Sequence, residues 1–378
     1  MAKHITQKKI AKDLGVTRAT VSKALNNDVD ISVQMRRKVK QFAMDAGYIV
    51  HHGARSLKTR TTNTIGVVIP EISNSFFSFV VHGIMDAAAA HGLGVILAVS
   101  RENPTLEKEN ILTLLSHRID GLLVAISKDT NDSAIFERVR RMDVPLVFFD
   151  RKPDNLEFNS VGINDRKAAK ELVEFAISCG YRKIAHLAGS QTVAIGRDRL
   201  AGYLDALSNH QIPLRNKWIV TGGFDCSSGY SGFKKLMRTR NFPEMVFAAN
   251  DRIAQGVYKA VKEAGLSIPD EMGIVAFGHN DFAEILSPKL TIVDCPPIAL
   301  GQKAMELLVS EIAHPAIRGK QKLLVDTTLR VNESILLNKS TWPKQRRMSF
   351  AGMRKKTLEV KPIPESIPKN NNTCYAKP

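Results

Sequence analysis

The segment TQKKIAKDLGVTRATVSKALN, residues 6–26, reads as two short helices joined by a tight turn. Thr6 can cap a helix in which Ile10, Ala11 and Leu14 share one face at 3.6-residue spacing. Gly15 supplies the left-handed residue that ends it. Thr17 caps the second helix, whose inner side carries Val21 and Leu25. Ser32 opens a third, where Val39, Phe42, Ala43 and Ala46 recur until Gly47 stops it. Ala11 is small where two helices would cross. This is the pattern of a helix-turn-helix, in which the first residues of the second helix reach base edges in the major groove. We assign residues 1–50 to this head.

Outward from the head the rhythm changes twice. Residues 51–63 hold one large apolar side chain in the stretch from Gly53, Leu57, and read as a linker with one helical turn. From Thr64, strand-length apolar runs alternate with amphipathic helical stretches: IGVVIP (65–70), GVILAVS (94–100), GLLVAI (121–126), PLVFFD (145–150), IAHLAG (184–189), MVFAAN (245–250) and GIVAFG (273–278). Such alternation implies a parallel sheet covered on both faces. Seven units exceed one small sheet, so residues 64–337 are expected to form two doubly wound lobes, about 64–163 and 164–292, with the strand-helix-strand of 292–331 placed to cross back between them. A ligand cleft is expected at the carboxyl ends of the strands. The fold class is α/β with an all-α head. Residues 338–378 are rich in Lys, Arg, Pro and Asn without periodicity, the composition of a disordered tail.

Charge divides along the same boundaries. Of the net +17, residues 1–63 contribute an excess of nine (thirteen Lys/Arg, four Asp) and residues 338–378 an excess of eight (ten Lys/Arg, two Glu), which leaves the body neutral. A basic head fits phosphate binding, where each neutralised phosphate releases counterions; a merely solvated basic surface is the lesser alternative, and charge by itself does not decide between them. Cys179, Cys226, Cys295 and Cys374 are scattered without metal spacing, so no metal site or disulfide framework is expected. No run of about 18 apolar residues spans a membrane, and no apolar stretch behind the N-terminus forms a secretory signal; a cytoplasmic location is expected.

The string Ala11-x-x-x-Gly15-Val16-Thr17-x-x-Thr20-Val21-Ser22-Lys23-x-Leu25-Asn26 resembles the lactose-repressor (LacI) family, and the resemblance continues for about 330 residues. It implies a two-lobed body like that of periplasmic sugar-binding proteins. It implies base reading by Arg18, Ala19 and Lys23, the first, second and sixth residues of the recognition helix. Arg18 can grip guanine bidentately and Ala19 can pack on a thymine methyl. Thr6, Thr17, Thr20, Ser22, Asn26 and Ser32 match positions that hold phosphates. In the hinge, Leu57 matches a minor-groove wedge with Ala54 as its close-approach neighbour. The family usually shows Pro-Asn where this chain has Val50-His51.

In the body the resemblance implies effector contacts from Phe76, Phe77, Asp150, Arg199, Phe224, Asn250 and Asp251. Each has a second reading: adjacent aromatics form core, and polar residues at helix starts form caps or structural ion pairs. Where the family often has Gly-Phe-Asp, this chain has Ala276-Phe277-Gly278-His279-Asn280-Asp281, so the acidic residue becomes Gly278, with His279 or Asn280 the candidates to replace it. The expected partners are double-stranded operator DNA, a sugar or nucleoside-like effector and a second copy of the chain. A periplasmic binding protein would share the body but not the DNA-reading head. No phosphate loop, nucleophile elbow or paired metal-spaced His supports an enzyme, and no cofactor is expected.

Overall fold

The computed structural model describes residues 5–48, 61–154, 156–239, 241–315 and 321–336. The hinge residues Ala54 and Leu57, and the basic tail, lie outside the described residues. No described helix is long and apolar enough to cross a membrane.

The head comprises α1 (Gln7–Leu14), α2 (Arg18–Leu25) and α3 (Val33–Asp45). Each begins at a hydroxyl cap: Thr6 Oγ1 accepts from the Lys9 amide at 3.3 Å, Thr17 Oγ1 from Thr20 at 3.1 Å and Ser32 Oγ from Met35 at 3.3 Å. Gly15, at φ +65°, makes the left-handed turn between α1 and α2. Ile10, Ala11, Val21, Ala24, Val39 and Ala43 are the fully buried core of the three helices, with Leu14, Leu25 and Phe42 packed half-buried around it.

The body holds two six-stranded sheets. The first lobe runs β1 (Thr64–Ile69), α4 (Ser75–Ala90), β2 (Gly94–Val99), α5 (Pro104–Ser116), β3 (Gly121–Val124), α6 (Ala134–Arg141), β4 (Leu146–Phe149) and β5 (Asn159–Gly162). The second runs α7 (Asp165–Ser178), β6 (Ile184–Gly189), α8 (Ala194–Asn209), β7 (Ile219–Thr221), α9 (Cys226–Met237), β8 (Met245–Ala248), α10 (Asp251–Glu263), β9 (Gly273–Gly278), α11 (Asn280–Ile285) and β10 (Thr291–Asp294). The chain then returns to the first lobe as α12 (Pro297–Ala313) and β11 (Lys322–Leu324), and once more to the second as β12 (Thr328–Arg330). The sheet orders are β11-β5-β4-β3-β1-β2 and β12-β10-β9-β8-β6-β7. All pairings are parallel except β12, which runs antiparallel to β10.

The final stretch refines the expectation for 292–331. Its first strand stays in the second sheet, its helix and β11 belong to the first, and β12 returns, so the chain crosses between lobes three times. What binds α12 into the first lobe is close helix packing. Leu300, Ala304, Met305 and Leu308 share a core with Phe77, Val80 and Ile84 of α4. Glycine at the crossing lets the backbones touch: a Cβ on Gly301 would stand 2.1 Å from the Val80 carbonyl oxygen. Gly301→Ala is therefore expected to destabilise the body by about 1–3 kcal/mol through overpacking, read as a lower denaturant midpoint at unchanged slope.

Candidate DNA-reading face and interlobe cavity

On the head, Arg18, Ala19 and Lys23 are exposed at the start and middle of α2. Arg18 and Ala19 open the helix, where unsatisfied amides and the helix dipole favour an anion or a base edge. The Lys23 Nζ is ion-paired with Asp30, which holds it above its ordinary pKa. Engaging DNA through Lys23 requires exchanging this exposed pair, a small cost by the standard of surface ion pairs. Thr6, Thr17 and Ser32 are the three N-caps, and capping uses an oxygen lone pair, leaving the hydroxyl proton to donate. Thr20 Oγ1 meets Thr17 Oγ1 at 2.9 Å, and Asn26 Nδ2 donates to the Ser22 carbonyl at 2.9 Å.

In the body, all seven expected effector residues, Phe76, Phe77, Asp150, Arg199, Phe224, Asn250 and Asp251, line one cavity between the lobes. They come from the loops and the first turns of the helices that follow β1, β4, β6, β7 and β8, at the carboxyl ends of the strands, as open parallel sheets place their ligands. The cavity measures about 50 Å³, room for a few waters and far below the roughly 300 Å³ at which ligand pockets begin. The lobes are therefore closed upon each other. A larger cavity of about 350 Å³ lies at the opposite, amino-terminal ends of β3 and β4, lined by Leu115, Arg118, Asp120, Met142 and neighbours from the first lobe. Volume alone would select it; the convergence of polar groups from two lobes selects the smaller one.

The individual placements differ in kind. Phe77 is buried in the first-lobe core, while Phe76 also packs on the second-lobe core, the rings meeting edge-on at 5.4 Å. Asn250 caps α10: its Oδ1 accepts from the Ile253 amide at 2.9 Å, and its Nδ2 donates to the Phe224 carbonyl at 2.9 Å. It shapes the cavity wall and holds the Phe224 loop. Arg199 is 6% exposed; its Nε donates to Asp165 Oδ1 at 2.7 Å, its Nη1 donates to the Ala249 carbonyl, and its guanidinium carbon lies 3.9 Å from the Phe277 ring centre. Burial pushes the Asp165 carboxyl up to about 6, with Arg199 opposing, while Asp165 and Asp150 hold the Arg199 guanidinium raised against burial. Both shifts leave an ion pair at neutral pH.

Asp150 sits at φ +57°, a left-handed conformation at a strand end, and burial raises its pKa against Arg151 and Arg199. Such strain outside a turn glycine concentrates at binding sites. Asp251 is raised by burial as well, opposed by the amides of Arg252 and His279. Gly278 is what makes room for it: a Cβ there would lie 3.0 Å from Asp251 Cβ and 3.3 Å from Oδ2. His279 does not replace the missing acid, because its ring turns away to pack on Phe79 of α4 at 4.9 Å and to face Asp294 at 3.7 Å. The side chain of Asn280 lies outside the described set. Sequence reasoning missed Arg151 and Asp165 at this site. Arg151 follows Asp150 directly and was open to notice; Asp165 has no local signal, since its partner is 34 residues away.

A helix-turn-helix head followed by a two-lobed body with an interlobe cavity defines a DNA-binding transcription regulator with a ligand-binding body. Residues 6–50 match the family described as bacterial regulatory proteins, lacI family, and residues 62–322 the periplasmic binding proteins and sugar binding domain of LacI family. The chain belongs to the LacI family. It is 31% identical over 330 residues to the ribose operon repressor of Haemophilus influenzae, covering 87% of this chain and 98% of that one. Among solved structures, the lac repressor dimer bound to operator and the anti-inducer ONPF superposes with a TM-score of 0.78 at 25% identity, covering 88% of this chain and 100% of that one. A LacI family regulator from Enterococcus faecium with bound ribose superposes with a TM-score of 0.64 at 25% identity, covering 73% and 100%. These relatives and neighbours are transcription regulators, not enzymes.

Beneath Arg199, His186 is fully buried, stacked on Phe247 at 4.2 Å, with Nδ1 on the Phe247 carbonyl at 2.9 Å and Nε2 unpartnered. Burial, aided by Arg199, pushes its pKa down to about 3. The unfolded imidazole takes its proton near 6.5 and the folded one near 3, so stability present above 6.5 is lost progressively as pH falls toward 3. Thermal unfolding of wild type should fall more steeply than that of His186→Phe between pH 6.5 and 4; parallel curves would contradict this.

Proposed function

We propose that this chain is a cytoplasmic repressor that binds a near-palindromic operator as a homodimer and is gated by a small sugar or nucleoside-like effector in the interlobe cavity. The observation that carries it is the joint placement of an exposed α2 N-terminus on the head and a closed, polar-lined cavity between the body's lobes. The relatives supply context, since one is named for a ribose operon and others are seen with operator DNA or ribose.

Arg18, Ala19 and Lys23 read bases; Thr6, Thr17, Thr20, Ser22, Asn26 and Ser32 set register on phosphates; Ala54 and Leu57 enter the minor groove at the operator centre. One short recognition helix reads too few base pairs for specificity, which requires two copies. The first sheet offers a surface for that pairing: β2 is its edge strand, with Ile96 and Leu97 more than a third exposed, and Met85 of α4 is half exposed. An unprotected apolar edge of this kind is ordinarily covered. Phe76, Phe77, Asp150, Arg199, Phe224, Asn250 and Asp251 hold the effector, and because about 50 Å³ admits no sugar, the lobes part to admit it.

Selection of duplexes from a random pool by the full chain tests this. The expected product is a two-fold repeat, and Arg18→Ala should cost roughly 1–3 kcal/mol at one base pair in each half-site while sparing the others. Equal weakening on all sequences would make Arg18 a phosphate contact, and an unenriched pool would overturn the operator reading.

A further inference from the structure

We propose that the larger cavity, at the amino-terminal ends of β3 and β4, is a second ligand site of the body, one that takes a small organic anion with an apolar body and acts on the linker to the head. It lies outside the interlobe cleft and is independent of the effector reading. Its volume of about 350 Å³ falls in the range of small-molecule pockets. The inner wall is apolar: Leu115 and Ile119 are buried, and Val144 and Pro145 before β4 and Ile312 at the end of α12 complete it. A hydrocarbon or aromatic body seated there removes apolar surface from water.

Three charged residues line the same cavity, and their commitments choose the ligand's head group. The two oxygens of Asp120 are covered by the end of the linker. The Thr62 amide donates to Oδ1 at 2.8 Å and Oδ2 at 3.1 Å, and the Asn63 amide to Oδ2 at 2.6 Å. The Thr62 hydroxyl is shared between Oδ1 at 3.1 Å and the Arg118 carbonyl at 2.9 Å. A ligand ammonium thus finds this carboxylate already taken, and Asp143 is engaged as well. Arg118 is exposed, and among the described residues its guanidinium has no hydrogen-bond or ion-pair partner. Its N–H fork is what a carboxylate at the mouth of the cavity meets. The link to the head comes from the same residues. Thr61 is part of the cavity wall, and the two residues after it are those stapled to Asp120. A ligand in the cavity packs against the residue at which the linker leaves the body, and restrains it.

Three probes with one apolar body and different head groups test this: phenylbutyrate, phenylbutanol and phenylbutylamine, titrated into the full chain by ligand-observed NMR. The expected order is carboxylate over alcohol over amine, with the alcohol weaker by about fivefold or more. In Arg118→Gln the carboxylate falls to the level of the alcohol. In Met142→Glu, which sets an anion on a lining residue that is 49% exposed, it binds about fivefold more weakly or worse. Both positions are at the surface, and thermal unfolding without probe checks that the fold is kept. Trypsin cleavage after Arg55, Lys58 and Arg60 is then followed with and without saturating phenylbutyrate, which is expected to slow separation of head from body roughly threefold or more. Equal or tighter binding of the amine overturns the proposal, as does binding unchanged in both variants or the absence of saturable binding. Saturable binding that leaves cleavage unchanged overturns the action on the linker. None of these outcomes bears on the interlobe effector reading, which uses neither Arg118 nor Met142.

Discussion

The three passages of the chain between the lobes, at residues 163–164, 295–296 and 325–327, constrain everything the body can do. Each lobe is completed by segments from distant sequence. The first sheet ends in β11, and the α4 face is closed by α12, locked there by backbone contact at Gly301. Neither lobe can therefore move freely, but the three short connections lie side by side and permit rotation of one lobe upon the other. A two-lobed body hinged in this way has one soft coordinate, opening and closing of the cleft, and the left-handed Asp150 and the unpartnered Arg151 Nε lie along it.

Closure in this structure is held by contacts of modest strength. Thr192 Oγ1 reaches the Lys128 carbonyl, Arg197 pairs with Asp154, and Phe79 packs on His279. The first two are partly exposed and worth little individually. The interior of the cleft is costlier: Asp150 and Asp251 are buried carboxylates pushed up by desolvation, and Arg151 carries an orphan donor. On the proposed reading, the closed cleft gathers polar groups that a polyhydroxylated effector satisfies. That differential interaction is what any effector must supply in order to shift a two-state equilibrium.

The head was legible in sequence because its signals are local. Caps at Thr6, Thr17 and Ser32, the turn at Gly15 and the 3.6-residue periodicity each act within a few residues, and the structure has helices where they point. The central strands were legible for the same reason, as buried apolar runs. The strands β5 and β7 were not, being three or four residues long, and where one strand was expected to close 292–331 there are two, β11 and β12, each three residues long; β7, β11 and β12 lie half-buried or exposed at sheet edges, where no continuous apolar run is needed. Among the site residues, matching to the family brought Asp150, Arg199 and the aromatics to one cavity. What it could not give was the pairing: Asp165 with Arg199, Glu102 with Arg151, Asp30 with Lys23 and the rotation of His279 toward Asp294 all depend on tertiary neighbours far away or on side-chain direction.

The account stands on the cleft and the head sharing one equilibrium. The most direct measurement links the lobes covalently without any effector: Lys128→Cys with Thr192→Cys, positions whose atoms already touch across the cleft, followed by operator affinity under oxidising and reducing conditions with each single variant as control. The account predicts that oxidation changes operator affinity tenfold or more and that reduction restores it. Equal affinity in the locked and released states would contradict it.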